Sequence, residues 1–266
     1  MDGTESLRRF LAPDAGRVGQ VVTLGAEQSR HLSTVLRVGV GARVRLFDGR
    51  GAEFAGHVER IGPAGVQVRV DQACAPRAGG EAVLTLAFAP PPGQRADVLV
   101  EKAGELGAWR IVPIVCERLQ GFQATAAGKR QDRWERKARE AARQCGRARV
   151  PDVAEPVAFD RFVQSDGARV RLIGSTGEAT PLWHALAGLH GPAASVTMIV
   201  GPAGGFTRRE TDLAQEAGFV AVSLGPHVLR VETAAVAMLA VVTAWLAGAG
   251  PSAAGTGGGD GIRTRG

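Results

Sequence analysis

Three glycine-rich segments stand where strands are expected to end. They are Ile173-Gly174-Ser175-Thr176-Gly177, Gly201-Pro202-Ala203-Gly204-Gly205-Phe206 and Leu224-Gly225-Pro226-His227-Val228-Leu229-Arg230. Glycine lets a backbone approach a ligand closely, and loop amides at the carboxyl ends of parallel strands can pair with it. One such loop is often only a tight turn, whereas three in successive units point to a nucleotide-like ligand. Two common phosphate-binding patterns are excluded. The chain has no Gly-x-x-x-x-Gly-Lys-Ser/Thr, and no Gly-x-Gly-x-x-Gly follows the first strand of the expected α/β region. Arg230 and Glu232 come directly after the third segment. Cys74, Cys116 and Cys145 form no Cys-x-x-Cys pair, and no His, Cys and carboxylate cluster has ligand spacing, so no metal is expected.

The elements that must position these loops change character along the chain. Val18–Leu24, Arg43–Phe47, Glu53–Ile61 and Val66–Val70 read as strands parted by Asp48-Gly49-Arg50-Gly51 and Gly62-Pro63. Ser29, His31, Leu32, Val35 and Leu36 have helical spacing, so a helix interrupts a small β-barrel-like domain over residues 1–72. Residues 73–81 read as a linker. Beyond it, apolar runs Val83–Ala89, Ile111–Cys116, Val170–Gly174, Val196–Val200 and Val220–Leu224 alternate with helical segments Arg95–Leu106, Asp132–Cys145, Arg208–Ala217 and Glu232–Leu246. Alternation of this kind implies an α/β domain with a mostly parallel sheet, here over residues 82–247. Residues 248–266, rich in Gly, Ala and Ser, are expected to be a disordered tail.

Composition sets the class. Of 266 residues, 45% are apolar and 22% charged, the proportions of a soluble globular protein, and a cytoplasmic location is expected. The apolar stretch Ala234–Leu246 is shorter than the roughly 20 residues that span a bilayer. Net charge is +6, and the segment from Lys129 to Arg149 holds nine basic and three acidic residues, which equals the excess of the whole chain. One concentrated basic segment points to a polyanionic partner. Trp134, Ala138, Ala141 and Cys145 fall on one apolar stripe, leaving Arg133, Arg136, Lys137, Arg143 and Arg147 around the other side. That side is either a nucleic-acid contact or a solvated face. Trp109, Trp183 and Trp245 are expected in the core.

Gly201-Pro-Ala-Gly-Gly-Phe and Leu224-Gly-Pro-His-Val-Leu-Arg-Val-Glu-Thr-Ala-Ala235 resemble the two C-terminal motifs of the knotted SPOUT methyltransferases. The whole chain resembles the RsmE family of ribosomal RNA uridine methyltransferases. Further carriers are Arg8-Arg9-Phe10, His31-Leu32 with Val35-Leu36-Arg37, Leu46-Phe47-Asp48-Gly49, Glu101-Lys102-Ala-Gly-Glu105-Leu106-Gly107, and Glu140-Ala141-x-x-Gln144-Cys-Gly-Arg147 with Pro151. The resemblance implies an α/β fold with a deep trefoil knot behind a PUA-like RNA-binding barrel. It also implies a homodimer that uses S-adenosylmethionine to make N3-methyluridine in 16S rRNA, at the decoding region of the 30S subunit. The chain departs from that pattern at Pro92, where a lysine is frequent, at Gly104 for a threonine, at Ala203 for a glutamate and at Val231 for a threonine.

On that resemblance, Ile173, Gly174, Gly201, Pro202, Gly204, Gly205, Leu224, Gly225, Val228, Leu229 and Ala234 are the expected cofactor contacts. Arg9, Arg37, Arg133, Arg136, Lys137, Gln144 and Arg147 are the expected RNA contacts. Arg230 and Glu232 are the expected catalytic pair. Uridine N3 must lose a proton, so Arg230 would stabilise the uracil anion or orient a phosphate, while Glu232 would orient Arg230 or assist proton removal. The plainer reading of Glu232 is an acid favoured by a helix N-terminus. His31 reads as structural and His227 as a surface residue. Three alternatives are a non-catalytic RNA-binding or ribosome-assembly factor, a methyltransferase of the same fold acting on another RNA, and, more remotely, an enzyme holding a dinucleotide such as NAD.

Overall fold

The computed structural model describes residues 7–75, 82–120, 127–189 and 195–248, so most of the expected linker and nearly all of the expected tail lie outside it. The N-terminal part is a five-stranded sheet in the order β1-β3-β4-β5-β2. Its strands are β1 (Arg9–Leu11), β2 (Val21–Thr23), β3 (Arg43–Phe47), β4 (Glu53–Gly62) and β5 (Gly65–Ala73). Strand side chains alternate between faces, and Phe54 and Val58 of β4 with Val66, Val68 and Val70 of β5 all point into one core with Phe10, Leu32 and Leu46. Gly56 permits the tight β4–β5 approach at a bulge, because a Cβ there would collide with the Arg69 carbonyl. The expected helix is a short α1 (Ala26–Arg30) that widens into a π-helical turn over His31–Val35.

The second sheet has eight strands, in the order β11-β13-β10-β12-β6-β7-β8 with β9 also on β7, and every pairing in it is parallel. Its members are β6 (Val83–Phe88), β7 (Arg110–Val115), β8 (Asp152–Val153), β9 (Val157–Ala158), β10 (Val170–Gly174), β11 (Thr180–Pro181), β12 (Ser195–Val200) and β13 (Val220–Ser223). Helices α2 (Arg95–Glu105), α3 (Ala127–Cys145), α4 (Phe159–Ser165), α5 (Leu182–Ala187), α6 (Arg208–Glu216) and α7 (Val231–Gly248) complete the chain. A parallel sheet buried on both faces reads as continuous apolar runs, and this one does. Leu84, Leu86 and Phe88 face α2, α3 and α7, while Ala87, Val112, Ile114 and Ile199 face α4 and α6.

Helix α7 is long and apolar enough to cross a membrane by length and composition. Val231, Ala235, Met238, Leu239 and Val242 nevertheless recur at helical spacing and are buried in the α/β core. The two parts of the molecule touch through backbone. Arg149 forms isolated β-bridges with Gly49 and Arg50, and the Val150 amide donates to the Gly49 carbonyl at 2.9 Å. Trp183 corrects its expectation: its side chain lies on the outer side of short α5 and is 60% exposed.

Candidate functional site

The glycine-rich loops leave β10, β12 and β13, and these three strands are neighbours in the sheet. All run parallel, so the loops emerge together at one edge. The Ser175 amide donates to the Val222 carbonyl at 2.9 Å, which ties the first loop to β13. In the second loop the Gly205 amide closes a turn onto the Pro202 carbonyl at 2.8 Å. Gly201 has a steric reason to be glycine, since a Cβ there would stand 2.7 Å from the Phe206 ring. The third loop is open: Val228 is 79% exposed and Leu229 36%. Ile173 and Pro202 are buried, and Gly174, Gly201, Gly205, Leu224 and Ala234 are half-buried, whereas Gly204 and Gly225 are exposed.

Arg230 is exposed at the end of the third loop, and Glu232 sits in the first turn of α7. One carboxylate oxygen of Glu232, Oε2, is buried without a hydrogen-bond partner among the described residues. The other, Oε1, lies 4.0 Å from a guanidinium nitrogen of Arg95. Arg95 opens α2 just after the exit of β6, the next strand beyond β12, and its Nε donates to the Pro92 carbonyl at 3.4 Å. A carboxylate and two arginines therefore stand on the rim of the loop cluster.

No sequence motif marks Arg95 or Arg118. Arg118 follows β7, and its Nη1 donates to the carbonyls of Gly204 at 3.2 Å and Phe206 at 3.3 Å. Its neighbour Glu117 donates its amide to the carboxylate of buried Glu210 at 2.9 Å, and Glu210 also closes the capping box of α6 with Thr207. The second loop is thus fastened from both ends. Their partners lie 86 or more residues away in sequence, and nothing local marks such a contact. Cys116, under the same loop, is no nucleophile, because burial, then the charges of Glu210 and Asp160, push its thiol above the ordinary range.

The expected RNA residues divide sharply. Arg147 corrects its expectation: it is buried, and its guanidinium donates to the Gly104 and Ala108 carbonyls at 3.1 and 2.9 Å, so it braces the end of α2. Arg133 pairs with buried Asp97, and Lys137 lies between Glu101 at 3.7 Å and Glu140 at 3.3 Å. Arg9 is held by Glu53 at 2.5 Å and rests over the Phe47 ring. Arg37, Arg136 and Gln144 are exposed. The basic flank that faces α2 is therefore largely neutralised within the molecule.

Residues 80–243 match the model of the RNA methyltransferase domain, and residues 24–71 that of the RNA methyltransferase PUA domain. Ribosomal RNA small subunit methyltransferase E of Mycobacterium bovis is 32% identical, over 86% of this chain and 87% of its own length. The protein of the same name from Synechocystis is 30% identical, over 90% and 78%. A crystal structure of ribosomal RNA small subunit methyltransferase E from Neisseria gonorrhoeae, bound to S-adenosyl methionine, superposes with a TM-score of 0.80. It shares 31% identity and is aligned over 90% of this chain and 97% of that one. The fold is thus the SPOUT methyltransferase domain with a PUA-like barrel.

Proposed function

This chain belongs to the ribosomal RNA small subunit methyltransferase E family, and from that premise we propose that it methylates N3 of a uridine in 16S rRNA with S-adenosylmethionine as donor. The observation that carries the reading is the convergence of three glycine-rich loops on one sheet edge, rimmed by Arg230, Glu232 and Arg95. The residues suit the donor. Gly201 lets the Phe206 ring pack against the backbone of the second loop, Pro202 and Ile173 give apolar wall, and backbone amides of an open loop suit an adenosine and an amino-acid end. When bound, the sulfonium supplies a methyl group already activated for transfer. The chain's own task is then to align the acceptor and to manage the N3 proton.

In this reading Arg230 faces the uracil, where a cation favours the anion left when N3 loses its proton. Glu232 has one oxygen buried without a partner and the other toward Arg95, so it serves either to orient an arginine or to receive that proton. The barrel and the exposed part of α3 hold the RNA. A deep knot in the domain of residues 82–247 and a homodimer formed through α7 belong to the same proposal, with the barrel bounded at residues 1–72. Action on 30S particles in the cytoplasm follows from it.

The experiment incubates purified protein with S-adenosylmethionine and 30S particles that lack the modification, then digests the 16S rRNA for nucleoside mass spectrometry. N3-methyluridine should appear with wild-type protein and be lost with Arg230→Ala. A different methylated nucleoside would move the target. Binding of rRNA without binding of the donor would leave a non-catalytic RNA-binding factor.

A further inference from the structure

A second concentration of positive charge lies away from the glycine loops, where the barrel meets α3. It is a cleft of about 190 Å³, walled by Arg30 and His31 on the barrel side and by Arg136, Arg139 and Arg143 of α3. That volume is below the roughly 300–1,000 Å³ typical of small-molecule sites. The three α3 residues recur at i, i+3 and i+7, on one helix face. That face lies about half a turn from the buried stripe of Trp134 and Ala138, and away from the flank that α2 neutralises.

Four guanidiniums share the cleft with two carboxylates, Glu27 and Glu140. Lys137 already holds Glu140 at 3.3 Å, and Arg139 leans on Glu135 at 3.4 Å. Among the described residues, Arg30, Arg136 and Arg143 have no carboxylate within 4.0 Å. The field in the cleft registers on His31. Burial first, then Arg143 and Arg8, hold its pKa below the ordinary value against the opposing pull of Glu27. Like charges converging in a concave site repel one another until an anion lies between them. Leu11 and Val35 add an aliphatic floor that suits the carbon face of a sugar.

We infer that this cleft seats the sugar–phosphate backbone of the RNA as it passes from the barrel to the methyltransferase sheet. The inference rests on the reading of the substrate as RNA. It assigns the contact to Arg30 on the barrel wall and to Arg136 and Arg143 on the α3 wall, rather than to the α2-facing flank of α3.

The test uses full-length protein and a transcript of the 16S rRNA segment carrying the target, titrated at several salt concentrations. Each phosphate contact adds about 0.7–0.9 to the slope of log affinity against log salt. Arg136→Gln with Arg143→Gln should weaken binding by roughly tenfold or more and flatten that slope by about 1.4–1.8. Arg30→Gln, from the other wall, should flatten it by about 0.7–0.9. S-adenosylmethionine affinity and melting temperature should stay at wild-type values. Arg133→Gln, which breaks only the pairing with Asp97, should leave the slope alone. An unchanged slope in folded variants overturns the cleft, and if the double variant does not fold, Arg30→Gln decides alone. The two readings separate cleanly. A wild-type protein that methylates uridine while the variants keep their slope retains the function and loses the cleft. A wild-type protein that methylates nothing, yet binds RNA with a slope the variants flatten, retains the cleft and loses the function.

Discussion

A carboxylate oxygen buried without a partner is costly, and Glu232 Oε2, in the first turn of α7, has none among the described residues. A cost of that kind persists where a charge is needed, here opposite the guanidinium of Arg95 and two residues after Arg230. Glu232→Gln keeps the shape and removes the charge. It should lower kcat at least tenfold while leaving S-adenosylmethionine affinity within twofold, as read by single-turnover rates and calorimetry. A wild-type rate would reduce Glu232 to a helix-terminal acid. Arg118 makes a different prediction, because it holds the second loop through two carbonyls. Arg118→Ala should raise KM for S-adenosylmethionine by about tenfold, the equivalent of ~1.4 kcal/mol, with kcat at saturating donor nearly unchanged. Lysine at that position, whose compact ammonium sits on a flexible stem without the rigid guanidinium plane, should restore only part of the loss.

Helices α2 and α3 meet at Gly104, where a Cβ would stand 3.0 Å from the Ala141 Cβ. The departure from threonine at this position is thus matched to close helix packing, not to the site. Gly104→Thr should overpack the interface by about 1–3 kcal/mol and lower the melting temperature by roughly 2–12 °C. Ala141→Gly in the same chain should recover much of the loss in a calorimetric scan. In the barrel, burial alone would raise the pKa of Glu53, but Arg9 and Arg45 outweigh it and hold it below the ordinary value. A depressed carboxyl contributes stability above its unfolded pKa and loses it as pH falls through the folded one. Glu53→Gln should therefore cost stability at pH 7 and flatten the decline below about pH 4.5 in acid-unfolding curves. The periodic elements behind these contacts were legible in the sequence. Strands Arg43–Phe47 and Val170–Gly174 stand at their expected bounds, and α2, α6 and α7 within two residues of theirs. What periodicity did not reveal is set by distant chain: the parallel β1–β3 pairing, the π-helical turn after α1, and the two-residue strands β8, β9 and β11. Arg147 and Arg133 looked like surface cations because their partners, Gly104, Ala108 and Asp97, lie 36 or more residues away.

At the scale of the molecule, α7 has two faces with different needs. Its inner stripe closes the α/β core, while Thr233, Ala237, Ala240, Ala244 and Ala247 recur at i, i+4, i+7, i+11 and i+14 on the outside. Four of those five are exposed and Ala237 is half-buried, so the outer face is a smooth apolar strip. Small side chains let a second helix approach closely, and an apolar strip of this kind is unfavourable to leave in water. A second copy of the chain, related by a two-fold axis, would cover the strip with itself and place two sets of glycine loops near one interface. Wild-type protein should therefore elute as a dimer in size-exclusion chromatography with light scattering at micromolar concentration. Ala240→Glu puts a carboxylate in the middle of the strip, where a two-fold axis would oppose it to its own copy. That variant should be monomeric and, because the core stripe is untouched, should retain its far-UV circular dichroism. A monomeric wild type, or a dimer indifferent to Ala240→Glu, would place the association elsewhere and leave α7 with a purely internal role.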